Sequence, residues 1–228
     1  MVYTKQDNIQ KWGLILPVLS TENACFANML SYPAVAVNEG RVTFIQGKSG
    51  CGKSTLLHLF NGTLSPDTGR VLYDGQDIAS LDTIVLRRAV LLAGQAVYLF
   101  SGTIAENFAA FYASRDLPAP DDTAMRRCLA VCCAPFDLDA KCDTMSGGER
   151  QRVYLAVFLS FCPRVLMLDE PTSALDDATA HMLLQNLREH CTQHKITLVC
   201  VSHDASLAQK FADEVVLLEK ETMTCAAL

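Results

Sequence analysis

The segment Gly47-Lys48-Ser49-Gly50-Cys51-Gly52-Lys53-Ser54, followed by Thr55, has the residue types needed to hold phosphate groups. It fits G-x-x-x-x-G-K-[ST] at every fixed position. The glycines let the backbone curl until successive N–H groups point inward at phosphate oxygens. A helix starting there adds the positive end of its dipole. Lys53 would then reach the β- and γ-phosphates of a nucleotide, and Ser54 a Mg2+ ion bound to them. Glycines also serve ordinary turns, so the motif carries weight only between a strand and a helix.

Two further groups suit the same chemistry. Val165-Leu166-Met167-Leu168-Asp169-Glu170 is an apolar run ending in two carboxylates. Asp169 suits the metal shell, and Glu170 can reach a water attacking the γ-phosphorus. Any buried strand can end in acids; the phosphate loop, which needs a metal partner, gives this pair its meaning. Upstream lies Met145-Ser146-Gly147-Gly148-Glu149-Arg150-Gln151-Arg152. A Ser-Gly-Gly turn at a helix start offers a hydroxyl and N–H groups to an anion. The same turn also caps an ordinary helix.

These groups must be positioned by elements, and the apolar pattern supplies them. Arg41 to Gln46 reads as a strand feeding the glycine-rich loop, with a helix behind it through Leu56, Leu57, Leu59 and Phe60. Further strands are predicted at Arg70 to Asp74, Ala89 to Ala93, Arg164 to Leu168, Thr197 to Ser202 and Glu214 to Leu218. The last four are nearly continuous apolar runs, as in a parallel sheet buried on both faces. From Thr103 to about Phe161 the strand pattern disappears. Ile104, Phe108 and Phe111 share a helical face, and Pro118 and Pro120 interrupt the chain. A second helix starts near Asp121 or Asp122, and a third runs from Gly148 to Phe161.

With the elements in place, Met145–Arg152 resembles the signature of the ATP-binding cassette (ABC) ATPases, usually Leu-Ser-Gly-Gly-Gln. Met145 stands for Leu and Glu149 for Gln, while Ser146 and both glycines are kept. The other family motifs follow in order. Gln95, after a strand, matches the Q-loop glutamine that contacts Mg2+ and the transport partner. Ser173-Ala174-Leu175-Asp176 matches the D-loop, and His203 the switch histidine that bonds the γ-phosphate.

The resemblance implies an α/β fold. Its parts are a P-loop NTPase core resembling RecA, an N-terminal antiparallel β part and an inserted helical subdomain. It implies a single domain over 1–228, with the core in 1–96 and 161–228 and the helices in 97–160. It implies ATP and Mg2+, with Ser54, Gln95 and Asp169 around the metal and Gly47–Thr55 around the phosphates. Lys53, Gln95, Glu170 as general base and His203 would carry the reaction. Two cassettes, identical or homologous, would pair head to tail, so that Ser146, Gly147, Gly148 and Glu149 of one meet ATP held by the other. For the aromatic residue that stacks on adenine, Phe26 is nearest in position and Trp12 the outside choice; either also reads as plain core. Leu99-Phe100-Ser101-Gly102-Thr103-Ile104-Ala105-Glu106-Asn107 resembles the exporter branch of the family. The expected partner is a transmembrane permease on a separate chain, with the cassette peripheral on the cytoplasmic face.

Composition narrows the classes. Of 228 residues half are apolar, and the formal net charge is −6. A folded core is expected, with no general attraction to nucleic acid or anionic lipid. No run reaches the ~18 apolar residues needed to cross a bilayer; Val153 to Cys162 is stopped by Pro163 and Arg164. The run Trp12 to Leu19 is too short and too interrupted for a signal peptide, so it reads as a first strand. Ten cysteines include the cluster Cys128, Cys132, Cys133 and Cys142, whose spacing fits no zinc or iron–sulfur pattern. Reduced core thiols are expected there. Cys225-Ala226-Ala227-Leu228 has the form of a prenylation box but lacks a preceding basic run.

The competing class is a non-transport ABC ATPase. Chromosome and repair types need long insertions between Gln95 and Ser146, and translation types need two cassettes; an iron–sulfur assembly ATPase is the alternative the cysteines keep open. A catalytically dead regulatory cassette is disfavoured by the presence of Lys53, Asp169, Glu170 and His203.

Overall fold

The computed structural model describes residues 2–3, 17–32 and 34–219. Positions 12–16, including Trp12, and the terminal Cys225–Leu228 box lie outside the described residues. In chain order the first strands are β1 (Val2–Tyr3), β2 (Pro17–Phe26), β3 (Leu30–Tyr32), β4 (Ala36–Asn38) and β5 (Val42–Gly47). Helix α1 (Lys53–Phe60), β6 (Thr68–Tyr73), β7 (Gln76–Asp77), α2 (Thr83–Ala89) and β8 (Val90–Ala93) follow. Helices α3 (Ile104–Ala113), α4 (Asp122–Val131) and α5 (Gly147–Ser160) come next. The chain then alternates through β9 (Val165–Asp169), α6 (Asp177–His194), β10 (Thr197–Val201), α7 (Ala205–Phe211) and β11 (Glu214–Leu218).

The strands form two sheets. One has the order β1-β11-β5-β10-β9-β8, parallel except for β1. The other is antiparallel, β3-β2-β6-β7, with β4 also on β2. The continuous apolar runs of the parallel strands have a simple cause: alternate side chains enter different cores. Leu166 and Leu168 of β9 and Leu198 and Cys200 of β10 face one core with α3 to α6. Val165, Met167, Val199 and Val201 face the other, against α1 and the antiparallel sheet. Burial of each such aliphatic side chain contributes roughly 1.5–3 kcal/mol.

The crossover from β8 to β9 is filled by α3, α4 and α5. Their apolar faces, through Phe108, Leu129 and Leu155, join the same core as Phe44 and Leu166 of the sheet. Side-chain caps fix the helix starts. Thr103 and Glu106 form a reciprocal capping box on α3, Asp121 caps α4, and Ser146 and Glu149 form a second box on α5. Helix α4 thus starts where the Asp121–Asp122 pair predicted, and α5 starts one residue before the expected Gly148.

Two local expectations shift. The strand expected from Arg70 begins at Thr68, because β6 pairs with β2 as far as Cys25. Ala89, expected to open a strand, closes α2, whose start Asp82 fixes by accepting from the Ile84 and Val85 N–H groups.

Candidate functional site

The loop between β5 and α1 forms one wall of a cleft of about 460 Å3 lined by Ser49, Gly52, Lys53, Ser54, Thr55, Gln95, Glu170 and His203, among others. The parallel sheet brings these residues together. Strands β5, β8, β9 and β10 lie side by side in parallel, so their C-terminal ends deliver Gly47, Gln95, Asp169 and His203 to one edge.

The loop is held from outside by the first hairpin. Tyr32 Oη donates to the Gly52 carbonyl at 2.8 Å, and burial raises the Tyr32 phenol well above its usual pKa. Gly52 has φ +94°, and a Cβ there would sit 2.3 Å from Tyr32 Oη and 3.0 Å from the Leu30 methyls. Only glycine fits that turn against that wall. Lys53, 6% exposed, folds over the loop, with Nζ donating to the carbonyls of Gly47 (2.9 Å) and Lys48 (3.2 Å). Its ammonium is thereby held at the cradle. Cys51 is buried against the second core, and Lys48, Ser49 and Gly50 complete the turn.

At the sheet edge both oxygens of Glu170 are engaged. Gln95 Nε2 donates to Oε2 at 3.1 Å, and His203 Nε2 lies 2.8 Å from Oε1. Glu170 has φ +53°, a left-handed backbone uncommon for such a residue. Neighbours hold it there: its N–H donates to Val201 O at 3.1 Å, and its carbonyl accepts from Gln151 Nε2 and Ser173 Oγ, each at 3.1 Å. Gln151 is 5% exposed, and its Oε1 has no partner among the described residues. Asp169, 7% exposed, ends β9 beside Val201.

Ser54, Asp169 and Gln95 supply only oxygen donors toward a metal, the set a Mg2+ ion takes when substrate phosphates and water complete its shell. Among the described residues no group of three or more His, Cys, Asp or Glu side chains is placed to hold a metal.

The Ser146 turn stands apart. None of Ser146, Gly147, Gly148 and Glu149 lines the cleft. Ser146 caps α5 in a reciprocal box with Glu149, leaving the Gly147 and Gly148 N–H groups without an acceptor among the described residues. A Cβ on Gly148 would lie 2.7 Å from Ala174 O, so the Ser146 turn is packed directly on the Ser173–Asp176 loop. Asp176 caps α6 by accepting from Thr179 N–H, which holds its carboxyl below the usual range.

Phe26, half-buried at the end of β2, packs on the second core and is not among the cleft-lining residues. Leu30 of the same hairpin is. The Leu99–Asn107 phrase is built as scaffold: buried Asn107 exchanges hydrogen bonds with the Phe100 backbone, and Ser101 Oγ donates to Asp143 at 2.9 Å. Sequence reasoning missed Tyr32, Leu30 and Gln151. Only Gln151 had a signal, an amide in a helix that is otherwise apolar on its buried side.

The chain is similar to known proteins in both sequence and fold. The model of the family described as ABC transporter matches residues 30–173. The chain is 32% identical over 208 residues to the probable iron export ATP-binding protein FetA of Escherichia coli K12, covering 89% of this chain and 92% of that protein. It is 36% identical over 193 residues to the methionine import ATP-binding protein MetN of Bradyrhizobium diazoefficiens, covering 81% of this chain but 55% of that one. A bacterial Atm1-family ABC exporter with ATP bound superposes with a TM-score of 0.80 at 28% identity, over 92% of this chain and 38% of the exporter. A dimeric bacterial ABC transporter cassette gives 0.78 at 25% identity, over 89% and 94%.

Proposed function

This chain belongs to the ABC transporter family as an ATP-binding, ATP-hydrolysing cassette, and we propose that it works as half of a composite ATPase whose sites are completed by a second cassette. The observation that carries this reading is the separation of the two phosphate-binding elements. The Lys53 cleft holds one, and the N-terminus of α5, with its free Gly147 and Gly148 N–H groups, lies outside it. A partner cassette docked head to tail brings its own Ser146 to the phosphates that Gly47–Thr55 of this chain hold. That a similar bacterial ABC transporter cassette is dimeric supports pairing.

In the mechanism, backbone N–H groups of Ser49 to Gly52 and the Lys53 ammonium bind the β- and γ-phosphates. Charge-assisted hydrogen bonds of this kind contribute roughly 1.5–3 kcal/mol each. Ser54, Gln95 and Asp169 would hold Mg2+, which neutralises charge developing on the phosphate oxygens. Glu170 takes a proton from the attacking water, a contribution of ~10²–10⁴-fold. Both its oxygens are engaged by Gln95 and His203. Arrival of the γ-phosphate draws these two side chains onto the ligand and leaves a carboxylate oxygen free for water. The left-handed turn at Glu170 aims that carboxylate back over the cleft.

The expected partner is a membrane-spanning permease, a reading supported by the match to the iron export ATP-binding protein FetA. No helix of the described residues is long and apolar enough to cross a membrane; the cassette would sit on the cytoplasmic face through its permease. The side chains of Tyr98 and Phe100, exposed next to Gln95 and edge-on to each other, are placed to meet it. Replacement of Lys53 by Ala tests the nucleotide assignment by isothermal titration with Mg-ATP. Loss of binding with an unchanged melting curve is expected, and unchanged affinity and turnover would refute it.

A further inference from the structure

The capping box at Ser146 does more than start a helix. The Ser146 N–H and hydroxyl both donate to the same oxygen, Glu149 Oε2, each at 2.8 Å. The Glu149 N–H approaches Ser146 Oγ at 3.4 Å. The hydroxyl proton is therefore committed within the subunit, and its oxygen accepts the Glu149 N–H. A phosphate approaching this turn meets two free donors, the N–H groups of Gly147 and Gly148. It also meets a carboxylate within the same helical turn. Backbone and side-chain donation from Ser146 holds the Glu149 carboxyl below the usual carboxylate range, so it is ionised at neutral pH. The nearby charge acting on it is the cation Arg152, one turn along α5. A carboxylate at a helix N-terminus cancels part of the dipole that would attract an anion, and like charges across an interface oppose association.

We propose that Glu149 is a brake on cassette pairing: its carboxylate sequesters the Ser146 hydroxyl and opposes the incoming phosphate, raising the ATP concentration needed to close the dimer. This rests on the composite-site reading above. Closure requires the Ser146 hydroxyl to exchange its acceptor, from Glu149 Oε2 to a phosphate oxygen of the ATP on the opposite cassette. The departure from glutamine at this position thus sets the threshold for closure without changing the groups that bind ATP in the Lys53 cleft.

The test uses the full chain with Glu170→Gln, which retains bound ATP, and follows dimer formation against ATP concentration by sedimentation velocity. Adding Glu149→Gln keeps a side chain that can complete the capping box and removes the charge. The ATP midpoint is expected to fall by about two- to fivefold, since each of the two symmetric ATP sites loses one exposed helix-terminal charge. The difference should shrink as salt rises from about 0.05 M toward 1 M, where the screening length falls to about 3 Å. ATP binding to the monomer should not change. An unmoved or raised midpoint overturns the proposal, as does a fall that salt leaves intact. Ser146→Arg in the same background separates the two levels of the argument. If it abolishes the dimer while Glu149→Gln changes nothing, only the brake fails; if it leaves the dimer intact, the composite site itself fails.

Discussion

Gln151→Leu isolates how the cassette holds Glu170, the proposed general base. Gln151 lies on α5, faces the interior, and gives its Nε2–H to the Glu170 carbonyl at 3.1 Å. The leucine fills a similar volume and removes the amide. The stability change should be small, within about 1 kcal/mol, because two effects offset. The Glu170 carbonyl loses one donor but keeps Ser173 Oγ and N–H, while the already unpartnered Gln151 Oε1 disappears with its desolvation cost. Catalysis has no such compensation. A left-handed glutamate costs of order 1–3 kcal/mol to maintain, and one hydrogen bond of ~1–1.5 kcal/mol is a large share of what holds it. Loss of that much bias lowers the fraction of Glu170 in its productive pose by up to about tenfold. Steady-state ATPase assays should therefore show kcat down about tenfold, KM within about twofold, and a melting temperature nearly unchanged. Full kcat in a stable Gln151→Leu protein would refute the view that the α5 amide positions Glu170.

Other outcomes follow from the same structure. Tyr32→Phe removes the hydroxyl that holds the Gly52 carbonyl and should weaken ATP binding several-fold by titration, for a hydrogen bond worth about 1 kcal/mol; equal affinity would show the hairpin wall to be irrelevant. Burial pushes the Cys128 thiol up to about 11 and Cys191 up to about 12, from 9.0. Such groups are protonated in the folded state when the unfolded chain has begun to ionise, so their stability contribution is complete below pH 9 and is lost as pH rises toward 12. Denaturant midpoints should fall across that range, and less steeply in Cys128→Ala/Cys191→Ala; parallel slopes would contradict this. A thiol reagent at pH 8 should label exposed Cys162 rapidly and the buried Cys128, Cys132 and Cys191 only on unfolding.

The sequence revealed the parts of the site whose residues are contiguous and the parts of the fold whose strands are buried on both faces. Gly47–Ser54 carries its geometry in its own spacing, and β9 and β10 are apolar throughout because successive side chains enter two cores. Tyr32 and Gln151 were hidden for the opposite reason. Each acts on a backbone carbonyl, Gly52 or Glu170, that tertiary structure alone brings within reach. Phe26 packs on the second core, and the aliphatic Leu30 of the same hairpin lines the cleft, a placement that residue type alone does not foretell. Of the antiparallel sheet the apolar pattern marked the Arg70–Asp74 strand and the start of β2, while the pairing came only through the family resemblance. Asn23, Ala27 and Asn28 with positive φ, and register shifts in β2, break the alternation that would have marked the rest of β2.

The central claim is that the Lys53 cleft of one cassette is completed by Ser146 of another. Glu170→Gln removes the base while preserving shape, so ATP should bind without turnover and the closed pair should accumulate. Gel filtration at a concentration high enough for pairing should show an ATP-dependent shift from monomer to dimer. Adding Ser146→Arg should abolish the shift and leave nucleotide binding to each monomer intact, because a bulky side chain then blocks the turn that meets the opposite γ-phosphate. An ATP-dependent dimer that Ser146→Arg leaves unchanged would contradict the account.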